Sequence, residues 1–366
     1  MIYFWRKIPD FQEEIALLRI HETDVWEQLA QSDKPTVIYG MGNGAEKIIS
    51  VLNKYGVEVA DIFASDEFVR GHSFLGHKVL KYSDICEKYE DFNVVLSFAT
   101  RIPEMLERIE KLSKERRIYA PDVPIVGSGI FTRSYFEGNR EKFEFVYAHL
   151  ADEESKRVYQ NVLNFKISGK VEYLYSSTEY DKNRIYKDIL KLDKDDIIVD
   201  MGAYDGDTIR EFNGFTDGCK HIYALEPDEK NFRKLVRNTA GCKGITLYNL
   251  GAWSRQDTLL FAKKAGRQSV LSDSGTPVKV TDIDSLIDEK VTMLKMDIEG
   301  AELQALQGCE QTIKKYSPKL YICAYHRNED MFAIPMKILE FNENYKIYFR
   351  HSPYIPAWES NFYCTL

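Results

Sequence analysis

Four groups able to bind a ligand or move a proton stand at the ends of apolar, strand-like runs. They are Asp200 after IIV, Glu226 after HIYAL, Asp297 after VTMLKM and His326 after KLYICAY. Carboxylates accept hydrogen bonds from hydroxyl-bearing or cationic groups. Imidazole, with an ordinary pKa near about 6.5, is largely neutral in the cell and can take a proton from a hydroxyl. Ligands of α/β sheets bind beyond the carboxyl ends of the strands, so the shared placement points to one site. Around Asp200 the chain reads DIIVDMGAYDGDT, from Asp196 to Thr208. The glycines of that turn let backbone approach a ligand closely, because no Cβ stands in the way. Glu226 follows at roughly the 20-residue spacing of an acid that takes ribose hydroxyls in a βαβ unit. Glu299 and Glu302 open the next helix, where the dipole stabilises carboxylates anyway, so they are weaker candidates. Asp297 with Glu299 could hold a divalent cation only with a third oxygen ligand; none is evident, and no metal is expected.

The elements that must carry these residues can be read from periodicity. DIIVDMG, HIYALEP, ITLYNLGA, VTMLKMD and KLYICAYH are five strand-like runs with helical stretches between them. That alternation predicts a parallel sheet with right-handed crossovers. GAELQALQGCEQTIKKY reads as one helix with Leu303, Leu306 and Ile313 inward, stopped by Pro318. EDMFAIPMKILEF reads as a helix kinked or begun at Pro335.

Upstream, TVIYGMGNGAEKIISVLNKYG gives a strand, a glycine turn and an amphipathic helix, with Gly40, Gly42 and Ala45 in the G-x-G-x-x-A pattern. A second strand ends near Asp66, and a further buried strand runs from Phe92 to Ala99. The organisation expected is a helical segment over 1–33, a Rossmann-like α/β domain over 34–125, a helical, aromatic-rich bridge over 126–190, and a larger α/β domain over 191–366. Phe11, Ile15, Leu18, Val25, Trp26 and Leu29 recur at helical spacing in the first segment. In the bridge, Tyr173, Tyr175, Tyr180 and Tyr186 either stack on an adenine or sugar ring or simply pack. His72 and His77 read as loop residues.

Composition narrows the function classes. The 366 residues are 44% apolar, enough for substantial cores. A net charge of −8 argues against a general nucleic-acid binder, which must neutralise phosphates. The cysteines, at 86, 219, 242, 309, 323 and 364, form no C-x-x-C pair, so neither a zinc site nor a redox motif is signalled. A reducing cytoplasm is the expected location. No run approaches 18 apolar residues, and no membrane span is expected.

VDMGAYDGDT resembles the first motif of class I S-adenosylmethionine-dependent methyltransferases. LKMDIEGAELQALQG and YICAYHRNEDMFAIP are similar to the signature of the FkbM methyltransferase family, over the chain from about Leu150 to Leu366. The resemblance implies a doubly wound seven-stranded sheet, with YKIYFRH and NFYCTL as its closing antiparallel pair. It implies S-adenosylmethionine as cofactor, with Asp200, Gly202, Ala203, Tyr204, Asp205, Gly206, Asp207 and Thr208 around its amino-acid end and Glu226 on its ribose. Where many related enzymes place an acid for the adenine amino group, this chain has Ala252, Trp253 and Ser254. A segment with Gly266, Gln268 and Ser269 resembles the family's variable β insertion. Asp297 lies beside the methionine moiety or the acceptor, and His326 is the expected base.

GHSFLGHKVLKYSDI resembles the N-terminal nucleotide-sugar-binding domain of bacterial sugar acetyltransferases, in which Gly40, Gly42, Asn43 and Gly44 would offer backbone N–H groups to a phosphate. The expected activity is O-methylation of a sugar or glycan precursor, with a small-molecule or glycan acceptor and an open question of homo-oligomerisation. Two other classes stay open. One is a nucleotide-sugar or NAD-dependent oxidoreductase centred on Gly40 to Gly44, although no Tyr-Lys pair or cysteine suited to that chemistry is visible there. The other is a non-catalytic binding protein with a transferase fold.

Overall fold

β-branched and aromatic runs become two mostly parallel sheets that meet at their carboxyl ends. The computed structural model describes residues 17–65, 69, 71, 73–127, 129–263, 269–271 and 275–366. Phe11, Ile15, Asp66, His72, Gly266 and Gln268 lie outside the described residues. The first sheet comprises β1 (Thr36–Tyr39), β2 (Val59–Ala64), β3 (Ser73–Phe74), β4 (His77–Lys81), β5 (Asn93–Leu96) and β6 (Ile118–Tyr119), in the order β3-β4-β2-β1-β5-β6. It is parallel except for the β3–β4 hairpin. His77 therefore opens a strand and is not the loop residue expected.

The second sheet contains β7 (Ile197–Met201), β8 (His221–Leu225) and β9 (Ile245–Tyr248). A side sheet of order β10-β13-β11-β12 follows, from β10 (Gly251–Ala252), β11 (Asp257–Lys263), β12 (Ser269–Leu271) and β13 (Thr276–Thr281). The main sheet resumes with β14 (Met293–Met296), β15 (Lys319–Cys323), β16 (Lys346–His351) and β17 (Ser360–Thr365), giving the order β16-β17-β15-β14-β7-β8-β9. The chain reverses at the edge and slots β17 between β15 and β16, antiparallel to both. This brings the start of β17 to the carboxyl end of β15, where Ala324 N–H donates to Ser360 O at 3.0 Å.

The run expected as one helix after β14 is two, Glu302–Gln307 and Glu310–Tyr316. Gly308 at the break packs tightly: a Cβ there would lie 2.0 Å from Trp253 O, so only glycine lets the chain pass the end of β10. Of the two expectations, that the helix is begun or kinked at Pro335, the first fails: Pro335 sits inside Asp330–Phe341.

The bridge is structural. Asp152 caps the helix Glu153–Ser168 by accepting Ser155 N–H at 2.7 Å, and the helix ends at left-handed Gly169. Its Ser155 Oγ accepts both Phe349 N–H (3.0 Å) and Arg350 Nη1 (2.7 Å) from β16. Its buried Lys166 pairs with Asp122 after β6, so one helix fastens both sheets. Tyr173 donates to Glu22 at 2.6 Å, Tyr175 donates to Leu106 O at 2.9 Å, and Tyr186 is buried against Phe212. These three tyrosines pack, and of the four only Tyr180 is largely exposed. At the carboxyl ends, Thr100 beyond β5 pairs with Ile355 in the β16–β17 connection.

Candidate active site

The β-branched run Ile197–Val199 is fully enclosed in β7 and delivers Asp200 into the interior. Its carboxylate is buried and lies 2.9 Å from Lys295 Nζ of β14, its direct neighbour in register. The two are off the line of a hydrogen bond, so they interact as charges, while Lys295 donates to Gly202 O at 3.2 Å. Burial alone would push the Lys295 pKa down; the charges of Asp200 and Asp297 outweigh it and keep the ammonium charged. Asp200 thus finds its partner inside the protein and braces the turn from behind.

The turn itself is folded around two backbone approaches. Gly202 has φ +83°, and a Cβ there would sit 1.9 Å from Asp297 O. Asp297 N–H in turn donates to Met201 O at 3.1 Å. The glycine turn and the acid at the end of β14 are therefore registered against each other by main chain. Gly202 and Ala203 N–H both reach Leu225 O at 3.0 Å, locking the turn to β8. Tyr204 takes a left-handed φ of 48° and donates its N–H to Glu226 Oε2 at 2.9 Å. Asp205 is held by Arg210 at 3.3 Å, and left-handed Gly206 starts the helix Asp207–Thr216, where Asp207 Oδ1 accepts Thr208 N–H at 2.9 Å.

Glu226 ends β8 nearly buried, its Oε1 accepting Asp228 N–H at 2.9 Å. Burial pushes its carboxyl up to about 7, against the pull of the Asp228 and Tyr204 amides. Each oxygen keeps a second lone pair for a ligand hydroxyl. Beside it, Ala252 is buried, Trp253 N–H donates to Thr281 O at 2.8 Å, and Ser254 is partly exposed.

Across the turn stands the second half of the site. Asp297 has a side chain 34% exposed, whereas His326 behind it is 2% exposed. His326 Nε2 is 3.5 Å from Asp297 Oδ1 and 3.8 Å from Glu299 Oε2, and Nδ1 is 2.9 Å from Glu302 Oε1. Tyr325 Oη donates to Asp297 Oδ1 at 3.1 Å. The expectation of a largely neutral imidazole is corrected here. Burial favours the neutral ring, but the surrounding charges of Glu302, Asp297 and Glu299 outweigh it and push the pKa up to about 10.

Lys295 and Tyr325 are the members that motif reading passed over, while Glu302 ranked only as a weaker candidate. A lysine inside the apolar run VTMLKMD was the available signal for the first, since a buried cation requires a partner. In the first sheet, Gly40 and Gly42 follow β1 with φ of 108° and 122°, and the helix Asn43–Lys54 begins there. Gly44 packs against Ser97 O, which a Cβ would meet at 2.3 Å.

A glycine turn after the first strand, an acid after the second and a reversed strand near the edge belong to a seven-stranded sheet of methyltransferase-like fold. Residues 200–347 match the methyltransferase FkbM domain, a stretch that spans the turn, Glu226, Asp297 and His326. No curated protein matches the chain. Among solved structures it is similar in fold to the methyltransferase FkbM from Methylobacillus flagellatus, at 22% identity and a TM-score of 0.72, with 95% of each chain covered. An rRNA methylase from Streptococcus thermophilus aligns at 14% identity and a TM-score of 0.33, over 47% of this chain and 87% of its own. Fibrillarin from Aeropyrum pernix, crystallised with natively bound S-adenosyl-L-methionine, aligns at 13% identity and a TM-score of 0.31, over 47% and 67%. Residues 200–347 form an S-adenosylmethionine-dependent methyltransferase domain.

The residues present fit that cofactor: Glu226 keeps free lone pairs on a nearly buried carboxylate beside the glycine turn. Because a ribose hydroxyl donates best to the charged form, S-adenosylmethionine should bind more tightly as pH rises from about 6 to about 8 through the Glu226 pKa. Calorimetry across that range checks this, and the dependence should vanish in Glu226→Gln.

Proposed function

We propose that the protein methylates a hydroxyl group of a sugar or glycan precursor, with Asp297 facing the acceptor. The observation that carries this reading is the pairing of an accessible carboxylate with a buried histidine at the end of adjacent strands. Bound S-adenosylmethionine supplies an electrophilic methyl group on sulfur. Gly202 to Thr208 and Glu226 would hold it, with Asp200 bracing the turn from behind and Ala252, Trp253 and Ser254 along its adenine side. Asp297 would orient the acceptor hydroxyl and receive its proton as the new C–O bond forms. His326, almost without solvent contact, would serve from behind, holding Asp297 in place by charge. Geometry favours this division of roles, because a side chain 2% exposed cannot meet the acceptor without moving.

A sugar nucleotide is the acceptor class we favour. Gly40, Gly42, Asn43 and Gly44 would hold its phosphates at the start of a helix. Support comes from Gly42, where a Cβ would meet nothing within 4 Å, and from the contact between Thr100 and Ile355 that brings this end of the first sheet to the methyltransferase loops. The six free cysteines suit a cytoplasmic setting.

The test is incubation with isotope-labelled methyl donor and a panel of sugar nucleotides and glycans, reading methyl ethers by mass spectrometry. Label on a carboxyl or amino group, with none on hydroxyls, sinks the reading. Gly42→Val should abolish sugar-nucleotide binding by placing a side chain in the phosphate approach, with S-adenosylmethionine affinity unchanged. Sugar-nucleotide affinity equal to wild type in that variant removes the first sheet from the substrate site.

A further inference from the structure

Glu302 is completely buried on the short helix after β14. Its Oε1 accepts Ile298 N–H at 3.0 Å and Gly300 N–H at 3.4 Å, and stands 2.9 Å from His326 Nδ1. One carboxylate therefore grips both the loop that carries Asp297 and Glu299 and the imidazole behind Asp297. The His326 contact is close, and Glu302 is the strongest of the groups that push the imidazole pKa up against its burial.

The groups that face His326 come from each element packed on it. Asp297 and Glu299 belong to the loop after β14, Glu302 to the helix that follows, and Asp330 to the helix Asp330–Phe341. Tyr325 lies with its ring 4.2 Å from the imidazole. Arg327 donates its Nε to Gly300 O at 2.7 Å, tying down the same loop. Burial, reinforced by Glu302, pushes the Asp330 carboxyl well up. Glu302, at 2.9 Å, stands closer to the imidazole than Asp297 at 3.5 Å or Glu299 at 3.8 Å.

We propose that Glu302 is a positioning residue for methyl transfer: its buried carboxylate sets the loop 298–300 and the His326 ring in the register that presents Asp297 to the acceptor. This rests on the reading of Asp297 above. Glu302→Gln isolates the charge, because glutamine keeps an acceptor oxygen for the two loop amides.

Histidine-labelled NMR follows the His326 ring without any acceptor, its resonance assigned by its loss in His326→Ala. In the wild type the ring should titrate near 10. In Glu302→Gln the midpoint should fall by about one pH unit or more, the effect of removing an adjacent opposite charge. The alkaline limb of kcat/KM should move down with it, and kcat should fall while cofactor affinity holds. A merely structural Glu302 predicts wild-type titration and kinetics in Glu302→Gln, and that result overturns the proposal. Should Glu302→Gln not fold, the wild-type titration decides, because a midpoint near the ordinary value of about 6.5 overturns it equally. If the NMR shift appears but Asp297→Asn turns over normally, the assignment of Asp297 fails. If Asp297→Asn is inactive while Glu302→Gln moves nothing, the positioning role fails.

Discussion

Asp297→Asn should lower turnover by about 10²–10⁴, the usual loss when a proton acceptor is removed, and leave S-adenosylmethionine affinity close to wild type. Asparagine keeps the volume and the Tyr325 contact but cannot take a proton from a hydroxyl. His326→Ala should also lower turnover, for a different reason, and pH separates the two roles. In this account the active form carries a charged Asp297 and a protonated His326. As pH rises through about 10, His326 loses its proton and kcat/KM should fall. That alkaline limb should be missing in His326→Ala. A histidine acting as the base gives the opposite sign, because kcat/KM would climb toward pH 10 as the neutral ring accumulates. Short assays with labelled methyl donor, once an acceptor is found, read both profiles.

Gly202→Ala should damage stability and cofactor binding together. The backbone at φ +83° disfavours any Cβ, a strain of about 1–3 kcal/mol. Overlap with Asp297 O, 1.9 Å from the added atom, must be relieved by moving main chain, at about 1–3 kcal/mol more. The relief has to separate the glycine turn from the loop of Asp297, so S-adenosylmethionine affinity should fall sharply as well. Gly42→Ala is the internal comparison. It also has positive φ, but its Cβ meets open space, so only the backbone strain applies. Thermal melting of the two variants checks the contrast. Equal melting temperatures would mean that the turn yields without effort and the two motifs are not interlocked.

Much of this architecture was legible because buried parallel strands write themselves as unbroken β-branched runs. DIIVDMG, HIYALEP and VTMLKMD stand where such runs should, and Glu226, Asp297 and His326 fall at their ends. What the sequence could not show was side-chain company. Asp200 and Glu226 look alike as strand-end acids, yet one faces Lys295 inside the protein and the other lines the turn. The charge on His326 depends on Glu302, which lies 24 positions earlier and closes on the ring only after two strands pair. The glycine at 308, where the helix breaks, is of the same kind: periodicity runs straight through it, and only the approach of Trp253 O requires a residue without Cβ there. Residues whose role is to separate or to brace leave little trace in periodicity.

The central claim is that the turn Asp200–Thr208 and Glu226 form one S-adenosylmethionine site. Titration calorimetry of the purified protein with S-adenosylmethionine tests it most directly, with Glu226→Ala alongside. The account predicts saturable binding to the wild type, weakened by about 1–3 kcal/mol in the variant through loss of hydrogen bonds to a charged acceptor. No heat with S-adenosylmethionine or its demethylated product, together with tight binding of NAD, would contradict it.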